Sequence, residues 1–514
     1  MQGAKPISTL KQRWTTILLL LVLALPALVW LRISGHAVLY FGDSTAPESS
    51  IAHGALLAAQ DGHLYRSYQA HPFTPTPFGP LYHGLLALIA KAGSFDLYHE
   101  LVAGRILTLL GWLGVLAMIY RISRNIGLFT LHAALAVMWF AALHEVTPWN
   151  ATTRPDFLAL FFTLLGFSLL TKGKGEYDTP LHIVAAGGVC FGVSLMLKQA
   201  FLVAPAVVGL AFLVQKKFKS AFVLAAVAGT VMAASMFYPW LRHESLAANM
   251  FAPGMGAVDM ESTLAYFDRA AVLQGIRLPL LVLAVIGLYF VRKEGRARRL
   301  QEYFLLAWFL GIVVYIRNLG SDTNVFLEGW VLASILAAYA FNRFTTMNKT
   351  VLPIAVSVIV LVFCFEPGYG IGYVYTMKMN ELRPVSAVQQ ITSRYRILTD
   401  ETFLEATSVD PVLLDPFFVH NLERNGNWDP KPFTAMLQRQ EFDMVVFTVE
   451  GLYIRRYRGM NIMSTPILDA VHENYVLVCR MPKVEGFSKF MFLAPKQRPF
   501  DTALMESLRK LGCK

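Results

Sequence analysis

Charge is what this chain has least of. Asp, Glu, Lys and Arg make up 15% of its 514 residues, where an ordinary soluble domain carries about 25%. Hydrophobic residues make up 55%, and mean hydropathy is +0.48. So little charge cannot coat the surface of a soluble protein of this length, and a soluble globular class is excluded. Cysteine is scarce as well. Cys190, Cys364, Cys479 and Cys513 form no CxxC pair and no Cys/His metal spacing, which removes the zinc-ribbon and redox-motif classes. Cys190 and Cys364 lie in apolar segments and read as small core side chains, whereas Cys479 and Cys513 share the C-terminal region and are able to pair if it faces an oxidising compartment. His53, His63, His71 and His83 fit no zinc motif, and there is no fixed-period repeat and no low-complexity tract. The net charge of +11 comes from basic residues that sit mainly between apolar segments. There they set membrane topology, so nucleic acid is not an expected partner.

What the chain does have is long apolar runs. They recur at about 15–33, 98–120, 127–147, 155–171, 181–197, 200–214, 219–239, 270–291, 301–317, 325–342 and 350–366, each near the ~20 residues that cross a bilayer. The expected fold is therefore a polytopic α-helical membrane protein with about eleven transmembrane helices. The stretch 81–92 is short, follows a proline, and reads as interfacial or re-entrant. Lys5, Lys11 and Arg13 precede the first run with no small-residue cleavage site after it, as in a retained signal anchor. With the N-terminus inside, the inner connections hold Arg121 and Arg124; Lys172 and Lys174; Lys216, Lys217 and Lys219; Arg292, Lys293, Arg296, Arg298 and Arg299; Arg343 and Lys349. The outer connections are much poorer in basic residues, which is the positive-inside pattern. An odd number of spans puts the C-terminal region outside.

That region changes character. After the membrane-embedded part, 1–366, residues 367–514 lose the long apolar runs. Arg396–Thr399, Pro411–Leu414, Met444–Val449, Tyr475–Cys479 and Phe490–Leu493 read as buried strands, and Pro416–Arg424, Pro432–Gln440 and Thr465–Glu473 as helices. Such alternation predicts a small extracytoplasmic α/β domain.

The first outer loop, 40–83, is the longest polar stretch in an apolar neighbourhood and carries two carboxylates, Asp43 and Glu48. Pro47 suits a helix start with Ser44 or Thr45 as its cap. The spacing admits two readings: a general base with an auxiliary carboxylate that orients it, binds substrate or holds a cation, or a helix-dipole complement at Glu48 and a turn at Asp43. Cations at the outer ends of spans form a second group. Arg154 precedes Pro155 and Asp156, Lys198 with Gln199 breaks two apolar runs, and Arg317 closes another. Each either snorkels to the headgroups or holds a lipid-linked phosphate. A third cluster, NLGSDTNVFLE at 318–328, holds Asp322, Asn324 and Glu328 and reads as a cap with a structural ion pair or as part of a polar cavity. The loop 240–269, with Arg242, His243, Glu244, Asp259, Glu261, Asp268 and Arg269, has enough polar groups to cover a site.

Taken in order, these clusters resemble the GT-C class of integral-membrane glycosyltransferases, in particular bacterial relatives of protein mannosyltransferases and of the lipid A aminoarabinose transferase. The resemblance runs from the acidic first outer loop through GHLY at 62–65, FGPLYHGLLAL at 78–88 (with Tyr82 in its Pro-Leu-Tyr segment), GRIL at 104–107, RPDFLAL at 154–160, LKQ at 197–199 and GSDTNVFLE at 320–328. ILTDE at 397–401, VLLDPF at 412–417 and FDMVVF at 442–447 are similar to the tail of bacterial members. The resemblance implies a GT-C-like fold and transfer of a sugar from a polyprenyl-phosphate donor to a lipid, glycan or protein acceptor at the outer face, in a bacterial inner membrane. It implies Asp43 or Glu48 as base, with Arg154, Asp156, Lys198, Gln199, Tyr82, Arg317, Asp322, Asn324 and Glu328 around the substrate. No metal ligand set is assigned, and a divalent cation is a possible cofactor. The class carries an adjacent Asp-Glu pair, whereas four residues separate Asp43 from Glu48 here, so the base lies between the two. A transporter or flippase using Lys198, Asp322 and Glu328 is the alternative; it lacks the repeated halves such proteins display.

Overall fold

The computed structural model describes residues 34–40, 48–71, 73, 76–143, 149–171, 179–251, 277–295, 297–317, 323–347, 383–412, 415–448, 456–457, 460–461, 463–481, 490–498, 501–510 and 512–513. Helix α1 (Glu48–Asp61) is followed by α2 (Pro80–Gly93), α3 (Leu97–Asn125), α4 (Thr130–Ala142), α5 (Asp156–Leu170), α6 (Leu181–Leu197), α7 (Val203–Val214), α8 (Phe218–Leu241) and α9 (Leu246–Phe251). Then come α10 (Arg277–Lys293), α11 (Arg298–Arg317), a 3-10 turn Thr323–Phe326 and α12 (Leu327–Met347). The apolar runs thus become helices, and those at Leu97–Asn125, Phe218–Leu241 and Asn324–Phe344 are long and apolar enough to cross a membrane. The expected runs 15–33 and 350–366 and the 366/367 boundary lie outside the described residues.

Burial sorts these helices. The window of Asn324–Phe344 is 94% buried and that of Phe218–Leu241 only 6%. The first is therefore the hub of the helical core and the second a peripheral helix whose side chains Phe222, Phe237 and Trp240 face outward. One contiguous apolar core, including Trp112, Trp139, Phe157, Phe191, Tyr303 and Trp330, joins α2 through α7 to α10, α11 and α12.

The C-terminal residues form layers around a four-stranded sheet of order β1-β2-β6-β5, where β1 is Ile397–Thr399, β2 Met444–Thr448, β5 Tyr475–Arg480 and β6 Phe490–Pro495. A two-stranded ribbon pairs β3 (Arg456–Tyr457) with β4 (Met460–Asn461). β1 and β2 run parallel, and β2–β6 and β6–β5 antiparallel. Successive side chains of a strand point to opposite faces, and the sheet is covered on both. Leu398, Val445, Phe447, Met491 and Leu493 pack with α15 (Pro416–Arg424), α16 (Lys431–Gln438) and α17 (Thr465–Asn474). Ile397, Met444, Val446, Phe490 and Phe492 pack with α13 (Arg383–Thr392), α18 (Thr502–Lys510) and Leu404 of α14 (Thr402–Ala406). The expected strand at 411–414 differs: residues 411 and 412 are irregular, and 413–414 lie outside the described residues. Asp410 has a φ of 50° and Pro411 has no N–H to give a ladder, so the chain turns where an extended pair would start.

Cys479 on β5 and Cys513, just after α18, form a disulfide with Cα atoms 5.6 Å apart and a separation of 34 residues. A loop of that length predicts about 3–4 kcal/mol of stabilisation. Cys513→Ser should lower the denaturant midpoint of the C-terminal layers accordingly, and unreduced wild-type protein should carry no thiol at either position in an alkylation assay.

Candidate functional site

The site is built where α5, α6 and the turn before α12 meet. Pro155 stops the chain ahead of α5, and Asp156 stands in its first turn, where a carboxylate complements the helix dipole. Lys198 terminates α6 with extended backbone (φ −151°, ψ 117°), its N–H still held by Ser194 O at 2.9 Å. A cation is favoured at that end of a helix. The two helices pack side by side, with Ser194 Oγ donating to Ala159 O at 2.8 Å. Their polar ends therefore come together. The Asp156 carboxylate, fully buried, accepts from Lys198 Nζ, from Arg154 Nε at 3.2 Å and from Asn324 Nδ2 at 2.8 Å. Lys198 and Arg154 each keep 12% side-chain exposure. Two cations thus converge on one buried carboxylate. Glu328, one turn further along α12's start, accepts a hydrogen bond from Tyr303 OH and is buried.

Aromatic rings wall the cations. Arg154 Cζ lies 4.8 Å from the Trp149 ring centroid and 5.5 Å from that of Phe78, and Lys198 Nζ lies 5.8 Å from Phe78. Phe78 comes from the polar loop at 40–83, and Gly79 brings it there. A Cβ on Gly79 would sit 2.0 Å from the Met196 carbonyl oxygen, so only glycine allows this approach of the loop to the end of α6. Gln199 Nε2 reinforces the contact by donating to Pro77 O at 3.1 Å and Met250 O at 2.9 Å. Tyr82 is fully buried behind Phe78, its ring edge-on at 6.4 Å.

The same loop is pinned along its length. Glu244 accepts from the N–H groups of Leu64 at 3.2 Å and Tyr65 at 2.8 Å, and Asn249 accepts from Thr76 N–H and donates to Arg66 O, both at 2.8 Å. Phe73 inserts edge-on between Trp428 (6.3 Å) and Phe433 (5.6 Å) of the C-terminal layers, and Tyr68 joins the same core. Burial, and then the Glu244 carboxylate, push the Tyr65 hydroxyl well above its usual range. It stays protonated and donates to Phe78 O at 2.7 Å. Burial first, and then the positive fields of Arg66 and His71, take the His53 imidazole of α1 down to about 4. At Asp61 burial opposes ionisation, but the His63 N–H and the Arg66 guanidinium outweigh it and hold the carboxyl below its usual range.

Glu48 sits in a different environment from the Asp156 group. It is fully buried against Arg105 of α3, which donates through Nε at 3.2 Å and Nη2 at 2.9 Å, while the Thr153 N–H also donates to it. Arg105 Nη1 reaches on to Tyr40 O at 2.5 Å. Gly104 makes room for this: a Cβ there would meet the Thr153 methyl at 2.3 Å. One strand of backbone, Thr153–Arg154, links the two groups, and Thr108 Oγ1 fixes it by donating to Arg154 O at 2.7 Å.

Of the side chains anticipated from sequence, Arg154, Asp156, Lys198 and Asn324 converge within hydrogen-bond distance, with Gln199, Tyr82 and Glu328 adjacent and Glu48 engaged with Arg105. Asp43, Asp322 and the Arg317 side chain lie outside the described residues. Sequence reasoning missed Arg105, Phe78 and Trp149. An arginine within the apolar run 98–120 was a signal for the first. Phe78 opens the FGPLYHGLLAL motif, which gave it no role, and no signal marked Trp149. Glu100, in the first turn of α3, is a further buried carboxylate, with neither oxygen hydrogen-bonded. Among the described residues no group of three or more His, Cys, Asp or Glu side chains is arranged to hold a metal ion.

This fold, an apolar helical bundle with a C-terminal sheet, resembles that of solved GT-C-class membrane glycosyltransferases. Residues 73–316 match the model of Glycosyltransferase family 87, a stretch that contains Phe78, Arg154, Asp156 and Lys198. Among solved structures, ArnT from Cupriavidus metallidurans bound to undecaprenyl phosphate is similar with a TM-score of 0.57 at 10% identity, covering 93% of this chain and 98% of its own. The Archaeoglobus fulgidus oligosaccharyltransferase in complex with Zn and sulfate gives a TM-score of 0.52 at 12% identity, over 90% of this chain and 72% of its own. Its counterpart AglB from the same organism, in complex with an inhibitory peptide and a dolichol-phosphate, gives 0.51 at 10%, over 96% and 76%. No curated protein sequence matches the chain.

Proposed function

We propose that this protein transfers a sugar from a polyprenyl-phosphate carrier to an acceptor at the outer face of the membrane. The observation that carries the reading is the convergence of Lys198 and Arg154, each 12% exposed, on the buried carboxylate of Asp156. Charged side chains near membrane depth mark a substrate path, and a phosphate on an apolar chain is an anion that two converging cations fit. The undecaprenyl phosphate bound by ArnT and the dolichol-phosphate bound by AglB support the same donor chemistry.

In this reading the acceptor hydroxyl gives its proton to the Asp43 carboxylate and its oxygen attacks the anomeric carbon. The bond from that carbon to the phosphate oxygen breaks, and the electron pair leaves with the polyprenyl phosphate. Lys198 and Arg154 stabilise the charge that grows on the leaving phosphate. Asp156 and Asn324 hold the two cations in place, Glu48 shapes the loop that presents Asp43, and Gln199, Tyr82, Arg317, Asp322 and Glu328 line the donor pocket. Residues 1–366 form the membrane-embedded catalytic part, and 367–514 an extracytoplasmic domain. The Cys479–Cys513 disulfide supports that side for the C-terminal layers, because such bonds persist in oxidising compartments. A bacterial inner membrane with the N-terminus cytoplasmic fits this arrangement.

The test is turnover by purified protein in detergent with a panel of polyprenyl-phosphate-linked sugars and envelope lipid, glycan and protein acceptors. The expected result is release of polyprenyl phosphate in step with a new glycosidic bond. Movement of the intact donor across liposomes with no bond cleaved would replace the reading with that of a flippase.

A further inference from the structure

We propose that Glu100 binds the sugar of the donor, its carboxylate accepting hydrogen bonds from hydroxyl groups of the ring that is transferred. The proposal rests on the reading of this protein as a polyprenyl-phosphate-sugar transferase.

Four helices of the apolar bundle open with a buried carboxylate in the first turn: Glu48 on α1, Glu100 on α3, Asp156 on α5 and Glu328 on α12. The helix dipole favours an anion at that place. Burial removes the water that would solvate it, so each carboxylate needs donors. Three of the four receive them from the chain. Arg105 and the Thr153 N–H serve Glu48, while Lys198, Arg154 and Asn324 serve Asp156, and the Tyr303 hydroxyl serves Glu328. Glu100 is the exception. It is 0% exposed, and neither of its oxygens has a hydrogen-bond partner.

An unsatisfied ionisable group at membrane depth points to a ligand that completes it. An ionised carboxylate only accepts, so that ligand must bring donors. Among the described residues no two other His, Cys, Asp or Glu side chains join Glu100 in a group arranged to hold a metal ion. Hydroxyls of a sugar ring supply the donors, and the reading already brings a sugar here.

The neighbours of Glu100 put it on the donor's path. The next turns of α3 pack on the backbone that carries Arg154 and Asp156. Thr153 Oγ1 donates to Leu101 O at 3.0 Å, Gly104 lacks the Cβ that would meet the Thr153 side chain, and Thr108 Oγ1 donates to Arg154 O at 2.7 Å. On the other flank, Leu97 and Leu101 pack with Ala52 and Leu56 of α1 and with Phe403 and Ala406 of α14. The C-terminal layers therefore close that approach. A sugar carried in on its lipid phosphate meets Glu100 between the helix ends, where an acceptor coming past α14 is shut out.

The experiment uses the full-length protein in detergent with a polyprenyl-phosphate-linked hexose that the wild type turns over, its monodeoxy analogues, and polyprenyl phosphate alone. Glu100→Leu should raise donor KM about 10- to 150-fold, the loss of one charge-assisted hydrogen bond. Acceptor KM should stay within about twofold, and binding of bare polyprenyl phosphate should be unchanged. Glu100→Gln keeps the shape and one acceptor oxygen and should fall in between. The melting temperature of Glu100→Leu should hold or rise, because an unpartnered buried carboxylate is gone; a merely structural carboxylate would lower it. One monodeoxy donor should lose as much on the wild type as Glu100→Leu loses, and that penalty should vanish in the variant. Donor KM unchanged in folded Glu100→Leu overturns the proposal, as does a loss confined to acceptor KM or shared equally by bare polyprenyl phosphate. Where neither variant accumulates, the wild type decides: no monodeoxy position costing more than about twofold overturns it. The underlying reading fails separately, when wild-type protein releases polyprenyl phosphate from no sugar-linked donor.

Discussion

Lys198→Ala is expected to lower kcat about 100- to 1000-fold, the loss typical of removing one preorganised donor from a developing negative charge, while the protein still inserts and folds. Folding survives because Asp156 is not left alone. Arg154 Nε at 3.2 Å and Asn324 Nδ2 at 2.8 Å remain on its two oxygens. The competing idea is that Lys198 exists only to neutralise Asp156. The two separate in the double variant Lys198→Ala with Asp156→Asn. If Lys198 is a phosphate ligand, removing the carboxylate does nothing to restore the missing cation and the double variant stays slow. If it is only a counter-ion, the double variant regains activity because no uncompensated charge is left. Lys198→Arg should retain an intermediate rate, since the charge is kept but a planar fork replaces a compact ammonium at the end of α6. Rates by release of polyprenyl phosphate, measured beside binding of polyprenyl phosphate alone, distinguish transition-state from ground-state effects.

The helices were legible because their signal is one-dimensional. A run of apolar residues near the length of a membrane span survives whatever its neighbours are, and the runs at 181–197 and 155–171 meet α6 and α5 within a residue at each end. Polar side chains at the ends of such runs were legible for the same reason, which is how Arg154, Asp156, Lys198 and Asn324 came to be singled out. Their convergence on one carboxylate was not, because it depends on how α5 packs against α6 and on the placing of the turn before α12. Phe78 opens a quoted motif but nothing in the sequence gave it a role, and Trp149 gave no signal at all: in an apolar chain an aromatic beside a cation differs in nothing from one in the core. Nor was it legible that Tyr68 and Phe73 of the loop at 40–83 belong to the core of layers more than 300 residues away in sequence. In the C-terminal part β2 and β6 were legible from apolar runs, whereas α18 buries only Leu504 and Leu508 in a polar stretch, and α14, though buried throughout, is five residues long and too short to show a helical period.

The two carboxylates of the polar loop at 40–83 should part company under mutation. Glu48 has both oxygens taken by Arg105, a third donor in the Thr153 N–H, and no exposure to solvent. A base must be free to take a proton from a hydroxyl within hydrogen-bond reach, and a carboxylate locked against a guanidinium in a buried pair is a poor candidate. Its expected role is structural. Breaking a buried ion pair by removing one partner costs about 3–5 kcal/mol, since the other charge is left uncompensated. Glu48→Gln should therefore lower thermal stability and membrane yield, with the surviving protein close to wild-type rate per folded molecule. Pairing it with Arg105→Met should recover much of the stability, because the stranded guanidinium is gone. Asp43→Asn should behave in the opposite way: yield and melting temperature unchanged, and kcat down about 100- to 10,000-fold, the usual contribution of general-base catalysis. The rate of Asp43→Asn should also lose its acidic pH limb, since no carboxylate remains to titrate. Normal turnover by Asp43→Asn together with a folded, inactive Glu48→Gln would reverse the assignment and make the Arg105 pair part of the chemistry.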